Sequence, residues 1–272
     1  MTNKSIPGDI LFFDSGLGGL SVMREARLKI PDKRFIYVAD DANFPYGTKS
    51  ESELKHHILG LFNKLFNRFN LKLCIIACNT ASTLVLSDLR ILYPNCSFVG
   101  TVPAIKYAAE HTKSGMISVL ATPATVKREY TKALIDKYAT SCKVNLVGCN
   151  KLAEISERYL RTNEVDTSLL YSEIEAAFIK CDTNGRKTDI VVLACTHYPF
   201  LINKMRNLAP WPVDWIDPAE AIAIRAKFLL GDETNTEDFA DEIEEDIAYF
   251  TSEKIDFSTR RLLQAFGLHF IT

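Results

Sequence analysis

The sequence predicts an α/β fold built from mostly parallel sheets. Three observations carry that expectation: short continuous apolar runs rich in β-branched and aromatic residues, amphipathic stretches of helical period between them, and a cysteine-tipped apolar run that occurs twice. Apolar runs without polar alternation suit strands covered on both faces, and the intervening helices supply the cover. A chain of 272 residues, 47% hydrophobic and 24% charged, has material for one large domain or two modest ones with a sizeable core.

In chain order, the expected strands are "ILFF" (10–13), "FIYVA" (35–39), "LCIIA" (73–77), "SFVGT" (97–101), "ISVLA" (117–121), "VNLVG" (144–148) and "IVVLA" (190–194). The clearest helix between them is "SESELKHHILGLFNKLFNRF" (50–69), whose apolar residues Leu54, Ile58, Leu59, Phe62, Leu65, Phe66 and Phe69 recur at helical spacing. Helical patterns also follow the two cysteine-tipped runs, as "NTASTLVLSDLRILY" and "THYPFLINKMRNLA". The two runs lie close to half the chain apart, which predicts two similar halves with equivalent strand tips meeting at a cleft. Pro103 opens one expected crossing between halves, and "APWPVDWIDP" (209–218) is the expected return. The acidic stretch 231–248 reads as a solvated loop and helix face rather than a docking site for a basic partner. The final "STRRLLQAFG" reads as a closing helix with Ser258 as N-cap and Gly267 beyond its end.

Composition also removes several function classes. A formal net charge of −2 creates no field favouring nucleic acid or an anionic membrane. No apolar stretch approaches a membrane span, and the opening "MTNKSIPGD" lacks the apolar core of a signal peptide, so a cytoplasmic location is expected. Seven cysteines, an odd number without a CxxC pair, argue against a disulfide framework.

The candidate chemistry lies at strand ends, where α/β sheets bind ligands. Cys78 and Cys195 each sit at a strand-to-helix junction, where a helix N-terminus is expected to lower a thiol's pKa. Asn79, Thr80, Thr196 and His197 follow directly and offer hydrogen bonds to a carboxylate. "FFDSGLGGLSVMREA" (12–26) is a Gly-rich turn with neither a Walker nor a GxGxxG pattern, and Asp14 ends its strand. "YVADDANFPYGTKS" (37–50) places Asp40 at another strand end, followed by the Pro45-Tyr46-Gly47 turn. His197 lies two residues from Cys195, but no further His/Cys pair completes a zinc site, so no metal is expected. His56 and His57 read as incidental residues of a surface helix.

The motifs "FDSGLGGLSV", "IACNTAST", "GTVPAIKYA" and "LACTHYPFL", with "ADDANFPYG" and "KS", occur together and in order over nearly the whole chain. On these residues the sequence resembles the cofactor-independent aspartate/glutamate racemase superfamily, and within it the glutamate racemases. "LATPATVKREYTKAL" (120–134) is similar to a variant of many Gram-negative members, with Ala121 where others carry glycine. The resemblance implies two pseudo-symmetric α/β domains, 1–100 with 210–272 and 101–209, and an active site in the cleft between them. It implies no pyridoxal phosphate, no other cofactor and no metal. It also implies that Cys78 and Cys195 interconvert L- and D-glutamate as thiol and thiolate, Cys78 taking the proton from D-glutamate and Cys195 from L-glutamate. Substrate contacts carry over onto Asp14, Ser15, Tyr46, Gly47, Asn79, Thr80, Thr196 and His197, and auxiliary acid–base roles onto Asp14, Asp40, Glu154 and His197. The implied role is supply of D-glutamate for peptidoglycan, with a homodimer and a UDP-linked cell-wall precursor as activator among the implied partners. Three other readings are an aspartate racemase, a hydrolase or transferase with Cys195 as nucleophile beside His197, and a non-catalytic binding protein.

Overall fold

The structure, a computed structural model, describes residues 9–181, 185–231 and 245–272. Strand β1 (Asp9–Asp14) leads to helix α1 (Leu20–Lys29), β2 (Phe35–Ala39) to α2 (Glu51–Arg68), β3 (Leu71–Ile76) to α3 (Asn79–Leu92), and β4 (Ser97–Gly100) to α4 (Ile105–His111). Then β5 (Met116–Ala121) leads to α5 (Pro123–Lys127) and α6 (Glu129–Tyr138), and β6 (Lys143–Gly148) to α7 (Leu152–Thr162) and α8 (Thr167–Ile174). Strand β7 (Ile190–Ala194) continues through a 3₁₀ turn, Tyr198–Leu201, into α9 (Ile202–Leu208), followed by β8 (Asp214–Ile216) and α10 (Ala219–Leu230). The described chain ends with β9 (Ile247–Phe250), α11 (Phe257–Ala265) and β10 (His269–Ile271). No helix among the described residues is long and apolar enough to cross a membrane.

Two parallel sheets result, in the orders β10-β9-β2-β1-β3-β4 and β6-β5-β7-β8. The β2-β1-β3-β4 portion of the first has the same order as the whole of the second. β1 and β5 therefore occupy equivalent central places, with the chain crossing to opposite sides of each. Such a strand is a switch point, beyond whose carboxyl end a crevice opens. The repeat suggested by the two cysteine-tipped runs is real at the level of topology: Cys78 follows β3 and Cys195 follows the equivalent strand β7.

Burial explains why the continuous apolar strands form the sheet centres. Ile10 and Phe12 pack into the cluster on one face of the first sheet, with Tyr37 and Ile75; Leu11 and Phe13 pack into the cluster on the other, with Val38 and Ile76. Each such side chain contributes roughly 1.5–3 kcal/mol on burial. The second sheet is likewise covered on both faces, by clusters centred on Leu120 with Leu193 and on Val119 with Val192.

All seven expected strands are present, and among the described residues three more join them. β8 lies within the stretch read only as a crossing, and it pairs with β7 in the second sheet, beyond the expected return at 210. β9 falls partly in the acidic stretch, the core of which (232–244) lies outside the described residues. The closing helix begins two residues earlier than expected, and its cap is Asp256, which accepts the Thr259 N–H at 2.7 Å; Ser258 is already helical.

Candidate active site

The carboxyl ends of β1, β2, β3, β5 and β7 converge on one narrow cleft. Its walls include Ser15, Tyr46, Gly47, Cys78, Asn79, Thr80, Cys195, Thr196 and His197, nine of the residues singled out in the sequence. Phe44, Pro45, Thr122 and Ala153 complete the lining. Thr122 follows β5 as Ser15 follows β1, so the strand equivalence that pairs the cysteines also locates it. The cleft holds about 20 Å³ of free space, room for about one water.

On the Cys195 side, a dense network crosses between the sheets. Asp14 is fully buried; its Oδ1 accepts the Gly16 N–H at 2.9 Å and its Oδ2 accepts the Thr196 hydroxyl at 2.9 Å. The Ser21 hydroxyl bonds the Thr196 carbonyl at 3.0 Å. Glycine at position 18 makes this approach feasible, because a Cβ there would fall 2.5 Å from Thr196 Oγ1. His197 Nδ1 lies 3.8 Å from the Cys195 sulfur, and Nε2 lies 2.8 Å from Oε1 of Glu157. That same carboxylate oxygen accepts the Leu17 N–H, tying α7 to the glycine turn. Ser156, the preceding residue, donates to the His197 carbonyl at 2.7 Å.

Burial would favour neutral imidazole, but Cys195 and Glu157 outweigh it and hold the His197 pKa well above its usual value. Glu157 responds in the opposite sense: burial opposes its charge, yet His197, the Leu17 N–H and Arg161 lower its pKa. The pair is therefore an imidazolium facing a carboxylate, a buried cation beside the Cys195 sulfur. Asp14 is raised by its burial, only partly offset by His197, the Gly16 N–H and Thr196.

On the other side, Cys78 is the N-cap residue of α3, with its sulfur 3.9 Å from Ser15 Oγ. The helix position was expected to lower its pKa. Instead burial and the neighbouring Asp14 raise it strongly, outweighing the Ala81 N–H and Ser15. Here Thr80 meets Thr122 at 3.0 Å, and Thr122 meets Thr125 at 3.0 Å, closing the cleft with hydroxyls from both sheets. Asn79 is 3% exposed, and neither its amide nitrogen nor its amide oxygen has a partner among the described residues. Buried amides left so are uncommon, and this one offers a donor and an acceptor beside the cleft.

Asp40 stands one layer back, fully buried, where it accepts the Tyr46 hydroxyl. Glu154 is the exception among the expected residues. It ion-pairs with Lys151 at 3.2 Å on a half-exposed face of α7, away from the network. The carboxylate reaching His197 is Glu157, three residues on, because the face of α7 carrying Leu152, Ile155, Ser156 and Glu157 is buried. The burial of Ser156 and Glu157 beside apolar positions gave no apolar-period signal in the sequence. Among the described residues, no three His, Cys, Asp or Glu side chains converge as metal ligands would.

The chain is similar to known proteins over nearly its whole length. The Asp/Glu/Hydantoin racemase family model matches residues 21–226. A glutamate racemase of Brucella canis is 56% identical over 261 residues, covering 96% of this chain and 93% of that protein. A glutamate racemase of Sinorhizobium fredii is 57% identical over 259 residues, 95% of each chain. The crystal structure of Escherichia coli glutamate racemase in complex with L-glutamate and the activator UDP-MurNAc-Ala superposes with a TM-score of 0.84 at 34% identity, covering 97% of this chain and 96% of that one.

Proposed function

The chain belongs to the Asp/Glu/Hydantoin racemase family and is an amino-acid racemase acting on glutamate, and from that premise we propose that Cys78 and Cys195 are its two acid–base groups. The observation that carries this reading is their equivalence: each follows the same strand of a repeated sheet order, and both border one cleft. Inverting an α-carbon requires removal of a proton from one face and delivery to the other, and two opposed groups do this without moving the substrate.

The surroundings suit complementary roles. Cys78, held protonated by burial and Asp14, is an acid ready to deliver a proton. Cys195, with the His197 imidazolium at 3.8 Å, has a cation beside the negative charge that a thiolate carries. With L-glutamate, Cys195 takes the α-proton and Cys78 returns one to the opposite face. The reverse assignment then serves D-glutamate. Asn79, Thr80, Thr196, Ser15 and the backbone at Tyr46–Gly47 bind the substrate, and fixed donors stabilise carbanionic charge as it develops. Asp14 and Glu157 act through Thr196 and His197; Asp40 acts through Tyr46. Glu157 takes the role that the sequence resemblance had given to Glu154. No cofactor or metal takes part.

The sheets with their helices form two domains, with the substrate bound in the cleft where their strand ends meet. The similarity to the Escherichia coli protein supports a UDP-linked cell-wall precursor as activator, and with it a cytoplasmic role in supplying D-glutamate for peptidoglycan. A homodimer is the proposed assembly.

The test is incubation of purified protein, free of metal and pyridoxal phosphate, with L-glutamate in D₂O. D-glutamate carrying deuterium at Cα is the expected product, and Cys78→Ser or Cys195→Ser stops its formation while circular dichroism is unchanged. Turnover surviving in either variant at near-normal rate refutes the two-cysteine assignment.

A further inference from the structure

We propose that His57 is a positioning residue for the Tyr46 side of the cleft, acting through Asp40. His57 lies on α2 and had read as an incidental surface histidine. Its Nε2 sits 2.7 Å from Oδ2 of Asp40, an oxygen that also accepts the Tyr46 hydroxyl. The other oxygen, Oδ1, accepts the Thr251 hydroxyl at 2.7 Å and the Asn43 amide at 3.1 Å. Asp40 thus joins the end of β2, the 41–48 loop, α2 and the segment after β9.

The burial pattern shows where His57 acts. Asp40 is completely buried, whereas the His57 side chain is 38% exposed. It bridges solvent and a carboxylate that is itself fully buried. A buried carboxylate retains its charge only while donors or a cation satisfy it. Among the described residues that contact Asp40, His57 alone can carry positive charge; Tyr46, Thr251 and Asn43 are neutral donors. Removing it leaves Oδ2 to the Tyr46 hydroxyl alone and weakens the anchor that fixes this ring.

Tyr46 is the outer end of this chain and also a wall of the cleft, beside Gly47 and opposite Thr122. A loosened Tyr46 lets the 44–47 segment drift where the substrate is gripped. The effect falls on binding more than on proton transfer, because neither cysteine belongs to the Asp40 cluster. The inference rests on the cleft being the racemase site, and wild-type turnover measured in parallel tests that reading separately.

The experiment compares wild type, His57→Leu, His57→Gln, Tyr46→Phe and His57→Leu/Tyr46→Phe in the glutamate racemisation assay, with thermal unfolding of each. His57→Leu is expected to raise KM about tenfold, the effect of losing a charge-assisted hydrogen bond, while kcat changes less than about threefold. Glutamine, which retains an amide donor, is expected to recover most of that loss. Tyr46→Phe adds little in the leucine background, because both changes act through the same Asp40 oxygen. KM within twofold of wild type in His57→Leu overturns the inference. So does a multiplicative double variant, or glutamine no better than leucine. If the leucine variant precipitates, His57→Ala removes the donor without added apolar bulk and carries the same comparison. Absence of wild-type racemisation would instead refute the functional reading.

Discussion

Replacing Glu157 with glutamine keeps the shape of the side chain and removes its charge. In the structure, one Glu157 oxygen meets His197 at 2.8 Å and the Leu17 N–H at 2.5 Å, while the other accepts from Arg161 at 3.1 Å. Deleting one partner of a buried ion pair costs about 3–5 kcal/mol, whereas a single hydrogen bond to a charged group is worth about 1.5–3 kcal/mol. Glutamine still presents one oxygen to two donors, so the lower range applies and a loss of about 2–3 kcal/mol in unfolding free energy is expected. If a similar amount is lost from the transition state through a misdirected His197, kcat/KM falls about a hundredfold. The control is Glu154→Gln, which breaks only a half-exposed ion pair worth about 0–1 kcal/mol. Urea unfolding and chiral chromatography of glutamate report the two quantities. Near-normal turnover in Glu157→Gln, or greater damage from Glu154→Gln, would refute the placement of Glu157 behind His197.

The same pair sets a pH dependence. A lowered Glu157 pKa stabilises the folded state above the ordinary carboxylate range and ceases to do so as pH falls through the folded value; the raised His197 contribution is lost as pH rises through its own. The stability difference between wild type and Glu157→Gln, followed by urea unfolding, is therefore greatest in the neutral range and shrinks toward acid and strong alkali. Gly47→Ala places a Cβ 2.9 Å from the Thr122 side chain and obstructs closure of the cleft; kcat/KM is expected to drop at least about tenfold with stability little changed. A Gly47→Ala enzyme with unaltered kcat/KM would show that the two walls need not approach this closely. Thr122→Val removes the hydroxyl that meets Thr80 and Thr125, and KM for glutamate is expected to rise about fivefold, as for a lost neutral hydrogen bond.

Elements with a strong local signal were legible in the sequence. β1, β2, β3, β5 and β7 span five or six residues, each with an apolar majority and buried nearly throughout, so composition alone marks them. β8 and β10 span three residues each and borrow their pairing from neighbours, leaving no periodicity to read. The cysteines were legible because they recur in matched contexts. Glu157 and His57 were not, because each depends on a partner on another element: His197 lies 40 residues from Glu157, and Asp40 lies on a different element from His57. On α2 the buried stripe runs through Leu54, Ile58, Leu61, Phe62 and Leu65, and His57 sits at its flank, where a sequence suggests only solvent.

The repeated strand order relates the two cysteines by a rotation, yet the L and D substrates are related by reflection. No arrangement of L-amino acids supplies a mirror plane, so the two proton transfers proceed in unlike surroundings: Asp14 and Ser15 beside one sulfur, His197 and Glu157 behind the other. The enantiomers nonetheless have equal free energy in water, which forces kcat/KM to be the same in both directions. Chemical asymmetry between the halves can therefore appear only as a compensated pair, a larger kcat for one enantiomer matched by a proportionally larger KM. A substitution confined to one wall shifts that pair while leaving the two specificity constants locked together.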